Sequence, residues 1–499
     1  MLAGGAAASL EAQRSAAAHA ETPAQHVQRG VRLEQQKKWE EAEREFRIAY
    51  HQDTNSVGAA VGHAEALVQI GQPFDALLEL QSFLREHSEA ARAHYFYAVV
   101  ILITSNDFLA AQKEMEECVR LDPSDGTAWK SLGDIYLDHT TASEAVEAYK
   151  KARQLLPRDP LIVASLAEAY SEAGKVPEAE ATFKEAIEMT DGAPDSPDAR
   201  KNRGAVQYLF AQYLLKQDRA ADSIAAATQA LAYNPHSAVT LYHRARAYKA
   251  TGDYKHAEQD ALDAYRLVPD GKQGPLLLTD IYRKLHDLPN VEKYAAIAQK
   301  LIDAEQQRAA FGREVRRLLG VAEEALKQGH FDDAISPYQD LIQKVPTFYE
   351  AYFGLGICYS QTGRLADAEA SFRKYLSFQR VSGDGHAALG VLLLEEGKSA
   401  EGVPELEQAL RIDPTLDEAR KALANEYLRK QQPDAAIRVL RAAQNREDPQ
   451  IKVMLASGFL QKGDVAGAKR EIHFALALQP DDPDALKLQQ EILSKNAGK

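Results

Sequence analysis

Cysteine is nearly absent from this chain. Its 499 residues include two, Cys118 and Cys358, 240 positions apart. That spacing excludes a disulfide framework and a zinc knuckle. Four Met and two Trp are also few for the length. Long hydrophobic runs are missing: Tyr97–Ile103 is among the longest, against the ~20 apolar residues that a membrane span needs. Positive charge is short as well. Lys and Arg number 59 against 73 Asp and Glu, a net charge of −14. This argues against a general nucleic-acid binder, which needs a basic face to displace counterions from phosphates. What remains reads as a soluble, Ala- and Leu-rich, mostly helical chain.

Catalytic signatures are lacking too. Gly397-Lys398-Ser399 ends like a phosphate loop, but Leu392 stands where that loop needs its first glycine. Gly354 and Gly356 are half of a dinucleotide motif without its third glycine. None of the 14 His falls in an HExxH or other ligand spacing. Cys118 and Cys358 occupy positions that suit small buried hydrophobes rather than nucleophiles. No catalytic residue, metal ligand or cofactor is therefore expected. At the N-terminus, Met1–Leu10 is small and apolar, and Ala18-His19-Ala20 is a small-x-small triplet, but no Lys or Arg precedes Arg14. Two readings stand. One is a disordered Ala-rich tail over 1–22 on a cytoplasmic protein; the other is a truncated export signal, which would make the protein periplasmic or exported.

What is present is a period. Pro123 to Pro157 and Pro235 to Pro269 are each 34 residues, and Pro346 to Pro414 is 68. Pro414 to Pro480 is 66, while Pro157 to Pro235 and Pro269 to Pro346 run long at 78 and 77. The chain thus repeats at 34 with an insertion in two places. Within one period, Trp129, Leu132, Gly133 and Tyr136 step by 3, 1 and 3 along one helix. Ala145, Tyr149 and Ala152 step by 4 and 3 along a second. Small residues at Gly133 and the alanines let the two helices approach closely, and Pro157 punctuates the turn. The frame recurs at Gly30, Ala42 and Phe46; at Ala167, Tyr170 and Phe183; at Gly356, Tyr359 and Phe372; and at Gly390, Leu406 and Pro414.

These residues resemble the tetratricopeptide repeat (TPR). About thirteen tandem repeats fill Pro23 to Asp482 and leave no room for a separate catalytic domain. The resemblance implies an all-α, superhelical solenoid of antiparallel helix pairs. The expected division is repeats 1–5 over 23–189, an insertion loop over 190–203 and repeats 6–8 over 204–302. A helical insertion over 303–314 follows, then repeats 9–13 over 315–482 and a capping helix and tail over 483–499. Lys487, Gln489, Gln490 and Glu491 supply the polar outer face that a cap needs.

The resemblance further implies that first helices line a concave groove whose free side chains bind a partner. Read onto this chain, those positions hold Tyr208 and Gln212; Tyr242, Arg246 and Lys249; and Asp280, Arg283 and Lys284. Leu319, Phe353, Ile357 and Val391 follow as an apolar stretch. Tyr and Arg suit binding hot spots, so an acidic or amphipathic protein or extended peptide is the expected partner. The carboxylate clamp of chaperone-binding TPR domains is not expected. Lys421 and Asn425 match its first pair, but Met454 stands where the next repeat needs Asn. The expected function is a non-enzymatic protein-interaction scaffold. The alternative is an assembly or regulatory subunit of a larger system, such as bacterial envelope biogenesis or secretion machinery.

Overall fold

The computed structural model describes residues 22–138, 141–445 and 447–497. The expected export signal over 1–20, and all of the expected tail over 1–22 but Thr22, lie outside them. Among the described residues there are 26 α-helices and no strand, numbered here α1 to α26.

Local chemistry sets the helix boundaries. α1 (Pro23–Gln35) opens on a capping box: Gln25 N–H donates to Thr22 Oγ1 at 3.4 Å, and Thr22 N–H donates to Gln25 Oε1 at 2.7 Å. Pro23 supplies the helical φ at the first position. α9 (Pro160–Glu172) likewise opens on a proline, after a one-way cap in which Leu161 N–H donates to Asp159 Oδ1 at 2.8 Å.

The turns inside the helix pairs carry the period in their backbone. Lys37, Gly71, Asn106, Gly174, Asp218, Gly252, His286, Gly329, Gly363, Gly397, Gln431 and Gly463 all have positive φ. Most neighbours in this series are 34 residues apart, or 68 across the undescribed turn at 139–140. The intervals Asp218 − Gly174 and Gly329 − His286 are 44 and 43, which locates the two insertions.

The first insertion is mostly helix. α10 (Val176–Asp191) runs into it and α11 (Pro197–Lys216) starts early, leaving Gly192–Ser196 as the loop. Pro197 starts α11, and Ser196 Oγ caps Ala199 N–H at 3.1 Å. Arg203 ties the loop down through the Thr190 carbonyl at 3.1 Å and the Ala193 carbonyl at 2.7 Å. The second insertion has no turn at all. α16 (Leu288–Lys327) is one 40-residue helix that takes in the second helix of the eighth repeat, the added residues and the first helix of the ninth.

Most helices pack on their successors, and first helices also touch first helices. α7 (Gly126–Asp138), α9, α11, α13 (Ala238–Thr251) and α15 (Gln273–Lys284) form one such row. α18 (Glu350–Gln361), α20 (Gly383–Glu395), α22 (Asp417–Arg429), α24 (Pro449–Gln461) and α26 (Pro483–Ala497) form another. Second helices make no comparable row among the described pairs. First helices converging while second helices diverge puts the first helices on the inner face.

Residues up to Glu79 together with those from Val315 form one compact unit; Leu80–Glu314 form the other. Their cores are made of small residues against large rings. A Cβ on Gly133 would lie 2.8 Å from Tyr149 Cε1, and one on Gly356 would lie 2.4 Å from Phe372 Cε1. α26 closes the second row with Ala485 and Ile492 buried. Its outer side carries exposed Lys487, Gln490 and Glu491, but also Leu486 and Leu493.

Candidate functional site

In the Leu80–Glu314 unit the inner face changes character from α7 to α15. α7 and α9 bring acids. Lys130 pairs with Asp134 at 2.7 Å, and the Tyr149 hydroxyl donates to the other oxygen of Asp134 at 2.6 Å. Glu168 and Glu172 from α9 hold Lys216 of α11, the first at 3.7 Å. Burial pushes the Glu168 carboxyl above its ordinary range; Lys216 pulls it down, and Glu172 pushes it up again. These residues, with Leu161, Ser165 and Tyr208, line a cleft of about 500 Å³.

Between α11 and α13 the surface turns aromatic. Tyr208 and Tyr242 both meet the ring of His243 edge-on, with centroids 5.2 and 5.3 Å away. Gln212 Nε2 donates to His243 Nε2 at 3.0 Å. Burial, then Arg246 and Lys216, push the His243 imidazole down to about 3, so it is neutral and can accept that bond. Burial likewise pushes the Tyr208 hydroxyl up to about 12. Arg246 is exposed, with its guanidinium 5.9 Å from the Tyr242 ring centre. Behind Tyr242 and His243 lies an apolar pocket of about 290 Å³, walled by Val239, Ala264, Tyr265 and Val268.

The sequence-derived positions divide on this geometry. Tyr208, Gln212, Tyr242 and Arg246 come together. Lys249 and Arg283 converge on Asp280 instead, at 3.3 and 2.9 Å, so the expected basic centre is largely neutralised. Arg246 has no carboxylate partner among the described residues. Leu319, Phe353 and Ile357 belong to the other unit. Leu319 corrects the expectation: it is 1% exposed, a core residue on α16 rather than a groove side chain. In the fused helix Val315, Leu318, Leu319 and Ala322 together form the packed stripe. Phe353 is half-buried with its ring 4.9 Å from Tyr375 and 5.7 Å from Phe372, and Ile357 is half-buried.

His243 was not among the sequence-derived positions. It follows Tyr242 directly, off the stripe that a single-helix period marks, and matters only because α11 and α13 touch. Lys421 and Asn425, by contrast, do line a cavity with Met454, of about 490 Å³. Lys421 is already held there by Glu418 at 2.5 Å and Asp448 at 3.3 Å, and Asp482 and Asp484 join the lining. A carboxylate ligand would meet acids.

Cys118 and Cys358 are both buried. Burial pushes their thiols up to about 12 and about 11, away from the reactive thiolate. Among the described residues no group of His, Cys, Asp or Glu is arranged to hold a metal ion. No helix among them is long and apolar enough to cross a membrane.

A first helix facing inward, a second facing out and a 34-residue step define a helical-repeat protein. The tetratricopeptide repeat family model matches residues 101–160, 208–272 and 319–385, and a second model of the same repeat matches 137–201 and 393–457. Together these cover more than half of the chain, and the chain belongs to the tetratricopeptide repeat family.

Among similar proteins are the TPR repeat-containing protein YpiA of Bacillus subtilis and PA4667 of Pseudomonas aeruginosa. YpiA is 25% identical over 171 residues, 34% of this chain and 40% of its own. PA4667 is 28% identical over 167 residues, 33% of this chain and 28% of its own. The chain thus spans less than half the length of these relatives. Among solved structures, a chain of the APC/C hetero-tetramer Cut9-Hcn1 is 17% identical with a TM-score of 0.32, covering 93% of this chain and 95% of that one.

Proposed function

We propose that this chain is a non-enzymatic interaction scaffold that holds an extended amphipathic peptide segment on the inner face of α11 and α13. The observation that carries this reading is the cluster of Tyr208, His243, Tyr242 and Arg246. It joins rigid aromatic surface to a guanidinium with no carboxylate partner among the described residues. Large rings lose few rotors on binding, and Arg reaches carboxylates with two parallel hydrogen bonds. The apolar pocket behind Tyr242 supplies room for one hydrophobic side chain. A peptide with an acidic residue beside an apolar one fits both features. The preformed helix array keeps the ordering cost of binding small.

The test starts from peptides selected by phage display on the full chain, followed by calorimetric titration of a selected peptide. Arg246→Ala and Tyr242→Ala are each expected to weaken it by about 1–2 kcal/mol, near the hot-spot threshold. The affinity should also fall with salt as the Debye length shrinks from ~10 Å at 0.1 M to ~3 Å at 1 M. Arg266→Ala, on the second helix of the same repeat and paired with Asp263, serves as the control and should change nothing. Unchanged affinity in both test variants would place binding elsewhere.

A further inference from the structure

The first two repeats pack on repeats far along the chain. The ring of His51, near the end of α2 (Trp39–Gln52), lies 5.7 Å from the ring of Tyr349. Tyr349 lies 6.1 Å from Tyr375 of α19 (Leu365–Phe378). Asp75 of α4 (Pro73–Glu86) shares a side-chain hydrogen bond with Thr347. All these residues belong to the same compact unit, so nearly 300 residues of chain separate two surfaces in contact.

The contact encloses more negative charge than it compensates. Asp75 and Glu79 are each 7% exposed, and Glu350 faces Glu79 from α18. Glu350 Oε2 is sealed from solvent with no hydrogen-bond partner among the described residues, and so is His51 Nε2. His63 of α3 (Val57–Gln69) faces these carboxylates, but it is already shared between Glu43 at 3.1 Å and Glu79 at 2.7 Å. Arg47 is spent on Glu43 at 3.4 Å. Tyr50, Tyr349 and Tyr375 close the remaining sides, and Glu323 faces Tyr50. A buried polar atom left without a partner costs about 1–3 kcal/mol, more when charged. Such a contact disfavours a charge on Glu350, the acid whose oxygen is left without a partner.

We propose that this contact is a pH-operated latch, in which the neutral Glu350 carboxyl closes residues 23–79 onto the ninth and tenth repeats and its ionisation releases them.

Burial, then Glu79, push the Glu350 carboxyl well above the carboxylate range when the contact is closed, against the smaller pull of its own backbone N–H, a hydrogen bond with the Tyr349 side chain and the charge of His63. Opened to water, the same group returns to ordinary acidity. Closure therefore takes up a proton at Glu350 and weakens as pH rises. Asp75, pushed up to about 6 chiefly by burial, acts in the same direction between its unperturbed value of 3.8 and 6. His51 opposes it there. Burial pushes its imidazole down to about 3, so the open form gains a proton below about 6.5 that the closed form refuses. These two offset each other at acid pH. Burial pulls the His63 imidazole down, but Glu79 and Glu43 carry it up to about 10 and move with it, so its own protonation changes little on opening; its charge holds the Glu350 carboxyl somewhat lower while the contact is closed. Burial holds the three tyrosines above their ordinary range, un-ionised in either state at these pH values. Above pH 6.5 Glu350 is left to set the balance. Opening uncovers the start of α18, the helix that carries Phe353 and Ile357.

Cys118 and Cys358 are buried, so introduced cysteines at exposed Asn55 and Gln343 can take a fluorescent donor–acceptor pair on the full chain. Transfer efficiency is then read from pH 6.5 to 9. The open-to-closed ratio should rise with pH, by up to about ten-fold per unit for one linked proton. Glu350→Gln should stay closed throughout, with circular dichroism verifying its fold. A pH-independent distance in the parent chain would overturn the proposal, whether or not the variant folds. So would a Glu350→Gln chain that opens as the parent does.

Discussion

A methyl group on Gly356 would sit 2.4 Å from Phe372 Cε1, and Phe372 is itself 3% exposed with no room to retreat. Gly356→Ala should therefore destabilise α18 and α19 by about 1–3 kcal/mol through overpacking. Gly363, in the turn joining the same two helices, has open space around its Cβ position but a φ of +74°. There alanine meets only backbone strain, about 1–2 kcal/mol. Hydrogen exchange separates the two. Gly356→Ala should lower protection on the facing sides of both helices, and Gly363→Ala chiefly at the turn. Equal, local effects from both would contradict the close-approach account. The sequence shows why these glycines differ. Gly356 sits inside a helical stripe opposite an aromatic residue, whereas Gly363 follows one. The same logic makes Gly133 and Tyr149 a pair. It does not reveal His243, whose role depends on a neighbouring helix rather than on its own.

At the scale of elements, turn chemistry decides between a helix hairpin and a single long helix. The turns inside the described helix pairs use a residue with positive φ, seven times a glycine, whereas junctions between pairs break at prolines such as Pro235, Pro269 and Pro346. The between-pair junction that α16 absorbs has no such proline. Ala304-Glu305-Gln306-Gln307-Arg308 supplies good helix formers with no proline or capping residue, and the helix runs on through Gly312. Ala310→Pro, at an exposed position in α16, should cost about 3 kcal/mol by removing a hydrogen bond and clashing with the preceding turn. Exchange protection should collapse between residues 304 and 314. Retained protection there would mean that α16 is already interrupted. The first insertion reads differently for a local reason. Its prolines and glycine signal a loop, yet Pro197 is also a favoured first residue of a helix, so the loop is five residues rather than fourteen.

At the scale of the whole molecule, a repeat array is expected to pass damage only to neighbours. The packing of Tyr50, His51 and Asp75 on Thr347–Glu350 changes that expectation. Gly62→Ala would place a Cβ 2.4 Å from Phe46 Cε1 and should loosen the first two repeats. Protection should then fall at residues 345–361 as well, although they lie eight repeats away in sequence. Gly133→Ala, 2.8 Å from Tyr149, should disturb only the third to fifth repeats. If Gly62→Ala leaves residues 345–361 unchanged, the long-range contact carries little stability.

The sequence by itself determined the helix pairs, their 34-residue step, the sites of the insertions and the membership in a repeat family. All of these follow from residues within a few positions of one another: small beside large, Pro and Gly at turns, caps at helix starts. Tertiary structure decided which inward side chains remain free. Lys249 and Arg283 are neutralised by Asp280 on α15, Leu319 is taken into the core of a fused helix, and His243 is caught between α11 and α13. It also decided that the first repeats meet the ninth and tenth. Contacts across hundreds of residues depend on small angles summed over many helix pairs, and no local pattern encodes that sum.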